Sequence, residues 1–422
     1  MDELKRSQRE DTMSQDTSTP ATDADQGQQD REQHPGHWGA VYAMSLCVFA
    51  LIASEFMPVS LLTPMAADLG VSEGMIGQGI SISGLFAVLT SLSVSTLTRG
   101  MNRKALLLAL TGVMVVSGAL IAVAPGYVPF MIGRALIGVV IGGFWSMSAA
   151  TAMRLVPASK VPRALAIFNG GNALASVLAA PLGSYLGSVM GWRGAFFCLV
   201  PVAVLVLLWQ WISLPPMKAA SRPAEPGNIL SIFGSLKSVP ISWGMAACGA
   251  FFMGQFALFT YVRPFLEAVT RVDVATISLV LLVVGAAGFV GTVVIGRFLV
   301  KGLYRTLIVI PVLMASLAAA MVPLGGVVAA VVVILGLWGL FSTAAPVGWW
   351  SWVAKAMPHN AEAGGGLMVA VIQTCIALGS TLGGLLFDSA GYRSTFLVSA
   401  GILFIASLLA LGTARATRRA RS

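Results

Sequence analysis

The sequence predicts an all-α membrane protein of twelve transmembrane helices in two pseudo-symmetric six-helix halves, and three observations carry that expectation. The first is composition. Hydrophobic residues make up 57% of the 422 positions and charged residues only 10%, less than half the charged share of a soluble domain. A surface facing water cannot be built from so few charges, whereas a bilayer suits such a chain. The second is a series of apolar helical runs at 40–65, 76–97, 105–124, 127–151, 163–187, 194–213, 241–263, 275–298, 305–323, 327–353, 364–386 and 394–413. Each has about twenty residues or more, enough to cross ~30 Å of hydrocarbon at ~1.5 Å per residue. The third is internal repetition at an offset of 200, which pairs Phe56 with Phe256, Pro64 with Pro264, Gly183 with Gly383, Gly191 with Gly391 and Arg193 with Arg393. One residue further, Arg154 and Pro157 pair with Lys355 and Pro358. A parallel duplication of six helices follows, and it places a binding site near the midplane between the halves.

Outside the runs the chain divides simply. Residues 1–37 are polar and hold nine of the 17 acids with four of the 26 bases, which reads as a disordered cytoplasmic tail. The first bundle spans 38–213, a Pro- and Lys/Arg-rich linker 214–240, the second bundle 241–414, and a basic tail 415–422. The remaining bases stand singly between apolar runs, which fits membrane topology and not nucleic-acid binding. Seventeen of them fall in segments on the side of the termini and four on the other side, Arg193, Arg263, Arg271 and Arg393. That bias puts both termini in the cytoplasm. Cys47, Cys198, Cys248 and Cys375 lie in apolar runs without Cys-x-x-Cys spacing, and His34, His37 and His359 lie outside the spans. Neither a metal site, a disulfide frame nor a Ser/His enzyme centre is indicated.

Glu55 is the only acid deep in an expected span and Arg134 the only base. An unpaired carboxylate there costs several kcal/mol, so Glu55 is expected to be protonated, paired or facing a wet cavity. Its repeat partner is Gln255, polar but unable to titrate. Two roles stand for Arg134: tuning the Glu55 carboxyl in proton coupling, or locking helices by bonding backbone carbonyls. Gly138 and Gly142, with Gly143, form a small face after Arg134. Pro181 interrupts the fifth helix, and Gly183, Gly187 and Gly191 continue at spacings of four, a kinked face that can rock against a neighbour. Gln255, Asn169, Asn172, Gln373 and Thr374 are candidate hydrogen-bonding groups for an uncharged, ring-bearing solute. Trp145, Tyr261, Phe144 and Phe259 either stack on such a ring or simply pack. Trp349, Trp350 and Trp352, at the inner end of the tenth helix, are expected in an interfacial belt.

These residues carry a family resemblance. Arg134-x-x-x-Gly138-x-x-x-Gly142 resembles the fourth-helix motif of major facilitator proteins, and Ala180-Pro181-Leu182-Gly183 the fifth-helix motif of their proton antiporters. The stretches from Glu55 to Gly70, Gly143 to Pro157, Gly254 to Pro264, Val347 to Trp352 and Val369 to Gln373 resemble the bacterial purine ribonucleoside efflux pumps. The resemblance implies the major facilitator fold and a monomer in the bacterial inner (plasma) membrane. It also implies proton-driven export of purine ribonucleosides such as inosine and guanosine, and of toxic purine analogues, with no cofactor beyond the proton gradient. A sugar or multidrug exporter of the same fold is the alternative. The chain departs from the facilitator pattern between the second and third helices. Ser95 replaces the opening Gly and Arg99 the Asp, followed by Asn102, Arg103 and Lys104.

Overall fold

The computed structural model describes residues 36–97, 101–157, 160–217, 235–357 and 361–419. The expected tail 1–37 apart from its last two residues, most of the linker 214–240, and Arg99 lie outside the described residues. Among the described residues ten α-helices follow in order: α1 Trp38–Leu69, α2 Glu73–Leu97, α3 Arg103–Ala122, α4 Tyr127–Leu155, α5 Val161–Ser213, α6 Val239–Phe259, the short α7 Val262–Phe265, α8 Val274–Leu324, α9 Val328–Ala356 and α10 Ala361–Arg419. Among the described residues, nine helices are long and apolar enough to cross a membrane. Nine rather than twelve appear because α5, α8 and α10, with 53, 51 and 59 residues, each run through a turn. Each has one non-helical glycine inside, Gly191, Gly302 and Gly391 respectively. Division at those glycines yields twelve segments, each near the length that a bilayer needs. Gly191 and Gly391 are repeat partners and both have φ of 75°, the left-handed region where a Cβ is strained. The duplication is therefore written in backbone angles as well as in residue types.

Local chemistry sets several helix ends. Gly70 closes α1 at φ 65°. The Asn102 side chain accepts from the Lys104 N–H at the start of α3, and that of Asp273 from the Thr276 N–H at the start of α8. The bonds from Thr276 hold the Asp273 carboxyl below the usual carboxylate range.

Within the first half α1 packs on α5 and α2 on α4; within the second, α6 packs on α10 and α8 on α9. The halves meet through α2 with α10 and α5 with α8. They do so unevenly along their length. At the distal end, away from the termini, Val59 and Ile80 of the first half belong to the apolar core of the second, and Tyr261 of the second belongs to that of the first. At the end carrying the termini the first half has its own core, including Leu110, Val140, Phe144 and Phe168, and no described residue of the second half joins it. The bundle is closed at the distal end and parted towards the termini.

Two expectations change. Trp349 and Trp352 are 1% exposed, inside the second half's core, and only Trp350 faces outward. The Trp352 ring lies where a Cβ on Gly244 of α6 would sit, so a missing side chain there makes room for an indole that a belt would leave in lipid. The seventh run also ends differently. Instead of one helix over 241–263, α6 stops at Phe259, and α7 leads into a π turn over Leu266–Thr270. Arg263, expected in a loop on the side away from the termini, is 5% exposed.

Candidate functional site

Proline decides the geometry around Glu55. Pro58 lies inside α1 and has no N–H, so the carbonyl four residues back, that of Ser54, loses its helical partner. Arg134 of α4 replaces it. Its Nη1 donates to Ser54 O at 2.8 Å, Nη2 to Glu55 O at 3.0 Å and to Ser83 Oγ at 3.2 Å, and Nε to Gly79 O at 3.0 Å. The guanidinium is fully buried and ties α1 and α2 to α4. Its contact with Glu55 is to the backbone: the ion pairs among the described residues are Arg193–Asp68 and Arg263–Glu267. The Glu55 carboxyl, in a residue 4% exposed, instead lies beside the Gln373 side chain of α10, across the two halves. Glu55 stands 14 residues from the distal end of α1, roughly 21 Å along the helix and close to mid-bilayer.

The next residue locates the symmetry axis. Phe56 and Phe256 are repeat partners, and their rings stack on each other at 5.7 Å. A residue that touches its own repeat copy must lie beside the pseudo-two-fold. Glu55 and Gln255 therefore flank the axis from opposite halves. Gln255 is 9% exposed and its Oε1 has no hydrogen-bond partner among the described residues, a buried acceptor that costs free energy until a donor reaches it. Stacked aromatics, a carboxyl, Gln373 and an unsatisfied Gln255 thus meet at mid-height, just below the closed distal seam. Sequence reading found Glu55, Gln255 and Gln373 but treated the Phe pair only as a repeat match. The signal was present: an aromatic at the same register in both halves, one step from the carboxyl.

The seam itself uses the same proline device. Pro64 frees the Ser60 carbonyl of α1, and Nη1 of Arg263, from the other half, donates to it and to Ser184 Oγ of α5. Nε of Arg263 pairs with Glu267 at 2.8 Å. On the other side of the seam Asp388 of α10 caps the start of α2, accepting from Ser72 Oγ and from the Gly74 N–H at 3.1 Å. Tyr261 is fully buried there, its hydroxyl donating to Ser380 O at 2.8 Å and its ring stacked on Phe387 at 5.3 Å. In this conformation Tyr261 belongs to the seal.

A family model described as Major Facilitator Superfamily matches residues 44–375. The chain belongs to the major facilitator superfamily. Among curated proteins it is 62% identical, over 91% of its length and 95% of the relative's, to the transcription regulatory protein OpdE of Pseudomonas aeruginosa. It is 37% identical, over 90% of its length and 95% of the relative's, to the purine ribonucleoside efflux pump NepI of Salmonella paratyphi B. In fold it resembles a bacterial homologue of the human lysosomal transporter Spinster in an inward-facing, unoccupied conformation, with a TM-score of 0.73 and 14% identity over 91% of this chain and 98% of that one. The protein is a transporter of the facilitator fold, not an enzyme.

The facilitator's other candidate residues fall in distinct places. A Cβ on Gly138 or Gly142 would meet the backbone of Ser83 or Ala87 on α2, so α2 and α4 approach too closely for any side chain. The second half repeats this, Gly339 of α9 lying against the backbone of Val284 on α8. Pro181 is partly buried in α5, Gly183 packs on Met57 and Ser60 of α1, and Gly285 of α8 sits against Val177, whose carbonyl Pro181 deprives of its helical donor. Asn172 is partly buried in α5 and Trp145 packs edge-on against Phe144 at 6.0 Å. Phe259 packs edge-on against Phe256 at 6.3 Å, and Thr374 is exposed. The Asn169 side chain lies outside the described residues. In the loop that departs from the facilitator pattern, Lys104 Nζ donates to Trp211 O at 2.7 Å and Leu214 O at 2.6 Å, while Asn102 Oδ1 accepts from the Met217 N–H at 3.2 Å. That loop fastens the end of α5 within its own half.

Proposed function

We propose that this facilitator exports purine ribonucleosides, such as inosine and guanosine, and toxic purine analogues from the bacterial cytoplasm in exchange for protons, with Glu55 as the proton-carrying group. The observation that carries the reading is the buried Glu55 carboxyl, held at mid-height beside the pseudo-two-fold that the Phe56–Phe256 stack marks, next to Gln373 of the other half. A neutral carboxyl tolerates a dry, closed site; an ionised one needs water or a donor, so its protonation and the closure of the halves are linked. The charge bias of the loops puts the termini end in the cytoplasm, which makes this conformation inward-facing. In that state Glu55 delivers its proton inward and a nucleoside, rich in N–H and O–H donors, takes its place. The unpartnered Gln255 Oε1 offers a second acceptor, and Asn172, Gln373 and Trp145 stand as further contacts. Rocking about the axis then exposes the site to the outside, where the proton displaces the nucleoside.

The relative named as a purine ribonucleoside efflux pump supports the substrate class over the alternative, a sugar or drug exporter of the same fold. The relative named for transcription regulation is compatible with transport, because moving a signal across a membrane changes what a cell's regulators sense. Uptake of labelled inosine into everted membrane vesicles under an acid-inside gradient tests the assignment. Accumulation that unlabelled guanosine blocks and arabinose does not is the expected result. Gradient-driven uptake of arabinose or chloramphenicol with none of inosine would transfer the assignment to the alternative.

A further inference from the structure

A groove of about 380 Å³ opens on the flank of the second half, far from Glu55, between the segment of α8 after Gly302 and the last turns of α10. Its walls are Tyr304, Ile308, Val309, Leu411 and Ala414, and its mouth carries Arg305, Arg415 and Arg418. The walls are fastened to each other: Tyr304 Oη donates to Thr417 Oγ1 at 3.1 Å and Ser407 Oγ to Ile308 O at 2.8 Å. The three guanidinia are exposed, and no carboxylate among the described residues pairs with them. The second half supplies little to pair with. From residue 235 onward its acids are Glu267, Asp273, Glu362 and Asp388, of which Glu267, Asp273 and Asp388 stand at the distal end.

Charge placement along the helices points to an anion here. Arg415 and Arg418 are three residues apart on one face in the final turns of α10, where the helix dipole favours cations. Arg305 lies three residues after the Gly302 break, in the first turn of a helical segment, where a cation alone is disfavoured and an anion welcome. A phosphate between the three satisfies both helix ends together. Beyond the mouth the groove continues into an apolar face, Val309, Leu313, Phe404 and Leu408, all exposed in the absence of lipid. Arginines at the membrane edge above a fixed apolar channel match a lipid with an anionic head and two hydrocarbon tails.

We propose that the groove between α8 and α10 binds one anionic phospholipid of the cytoplasmic leaflet, its phosphate held by Arg305, Arg415 and Arg418 and its acyl chains laid along Val309, Leu313 and Leu408. The leaflet rests on the orientation argued above; the binding itself rests on neither the substrate nor proton coupling. Such a lipid splints the segments of α8 and α10 that flank the second half.

Native mass spectrometry of the purified full-length protein, equilibrated with equal phosphatidylglycerol and phosphatidylcholine, tests this. The wild type is expected to retain phosphatidylglycerol in preference, and R305Q/R415Q/R418Q to lose that retention by roughly tenfold or more. A second triple variant, R297Q/K301Q/K355Q, removes the same charge from positions that do not line the groove and is expected to retain the lipid. Equal loss in both triples means diffuse attraction and overturns the site, as does equal retention of the two lipids by the wild type. Inorganic phosphate at millimolar concentration is expected to leave the lipid bound; its displacing the lipid would make the site one for free phosphate. R305Q alone leaves α10 intact and, should the triple misassemble, is expected to show a partial loss; unchanged retention in R305Q would count against the proposal.

Discussion

Glu55 and Arg134 are neighbours that do different work, and substitution separates them. Arg134 supplies donors to three backbone carbonyls and a hydroxyl, and one of them, the Ser54 carbonyl, has no helical donor because of Pro58. Arg134→Ala strands the Ser54 carbonyl in a dry interior at about 1–3 kcal/mol and removes the ties between α4 and both α1 and α2. We expect it to lower the melting temperature and the yield of monodisperse protein in detergent, whatever the pH. Arg134→Lys is expected to rescue only part of this, since an ammonium cannot match the spread of a guanidinium fork. Glu55→Gln keeps the size of the side chain but cannot titrate. Its expected melting temperature is near that of the wild type. A Glu55→Gln protein that is as unstable as Arg134→Ala would show that the carboxyl is a packing group. Both residues were legible in the sequence because an isolated charge in an apolar run is conspicuous. What the run of letters leaves open is direction: Pro58 frees the Ser54 carbonyl, and that turns Arg134 to the backbone instead of to the Glu55 carboxylate.

Helices transmit these residue-level facts through close approach and through missing N–H groups. Gly142 meets the Ala87 backbone, which cannot rotate aside. Gly142→Val is therefore expected to force α2 and α4 apart and to abolish transport while the chain still inserts; transport at the wild-type rate would contradict the tight crossing. At the distal seam, Arg263 reaches Ser60 O because Pro64 leaves it free. Restoring the helical donor with Pro64→Ala, or removing the clasp with Arg263→Gln, is expected to weaken distal closure. Spin labels at V189C and R271C in a cysteine-less background would report it as a longer, broader distance distribution than in the parent. An unchanged distribution in both variants would remove Arg263 from the clasp. Arg263 was misplaced by sequence reading for a physical reason. A base just before a proline at the end of an apolar run looks like a loop anchor, and its burial depends on a carbonyl from a helix some 200 residues away.

For the whole molecule, composition and run length were enough to reveal the membrane class, and the offset of 200 revealed the duplication, since two of its pairs, Gly191/Gly391 and Phe56/Phe256, recur as matched backbone angles and as a ring stack on the axis. Which end is closed was not legible, because closure depends on contacts between halves that any single helix pattern leaves undetermined. The same holds for the buried Trp352, whose burial follows from space left at Gly244. At this scale Glu55 links proton movement to the alternation of two states, and one comparison reaches that link most directly. In proteoliposomes, inosine–inosine exchange and proton-driven uphill inosine accumulation are measured side by side for wild type and Glu55→Gln across pH. The account predicts that the variant keeps exchange, without pH dependence, and loses uphill accumulation. A variant that still accumulates inosine against a gradient, with wild-type pH dependence, would contradict it and place the proton elsewhere.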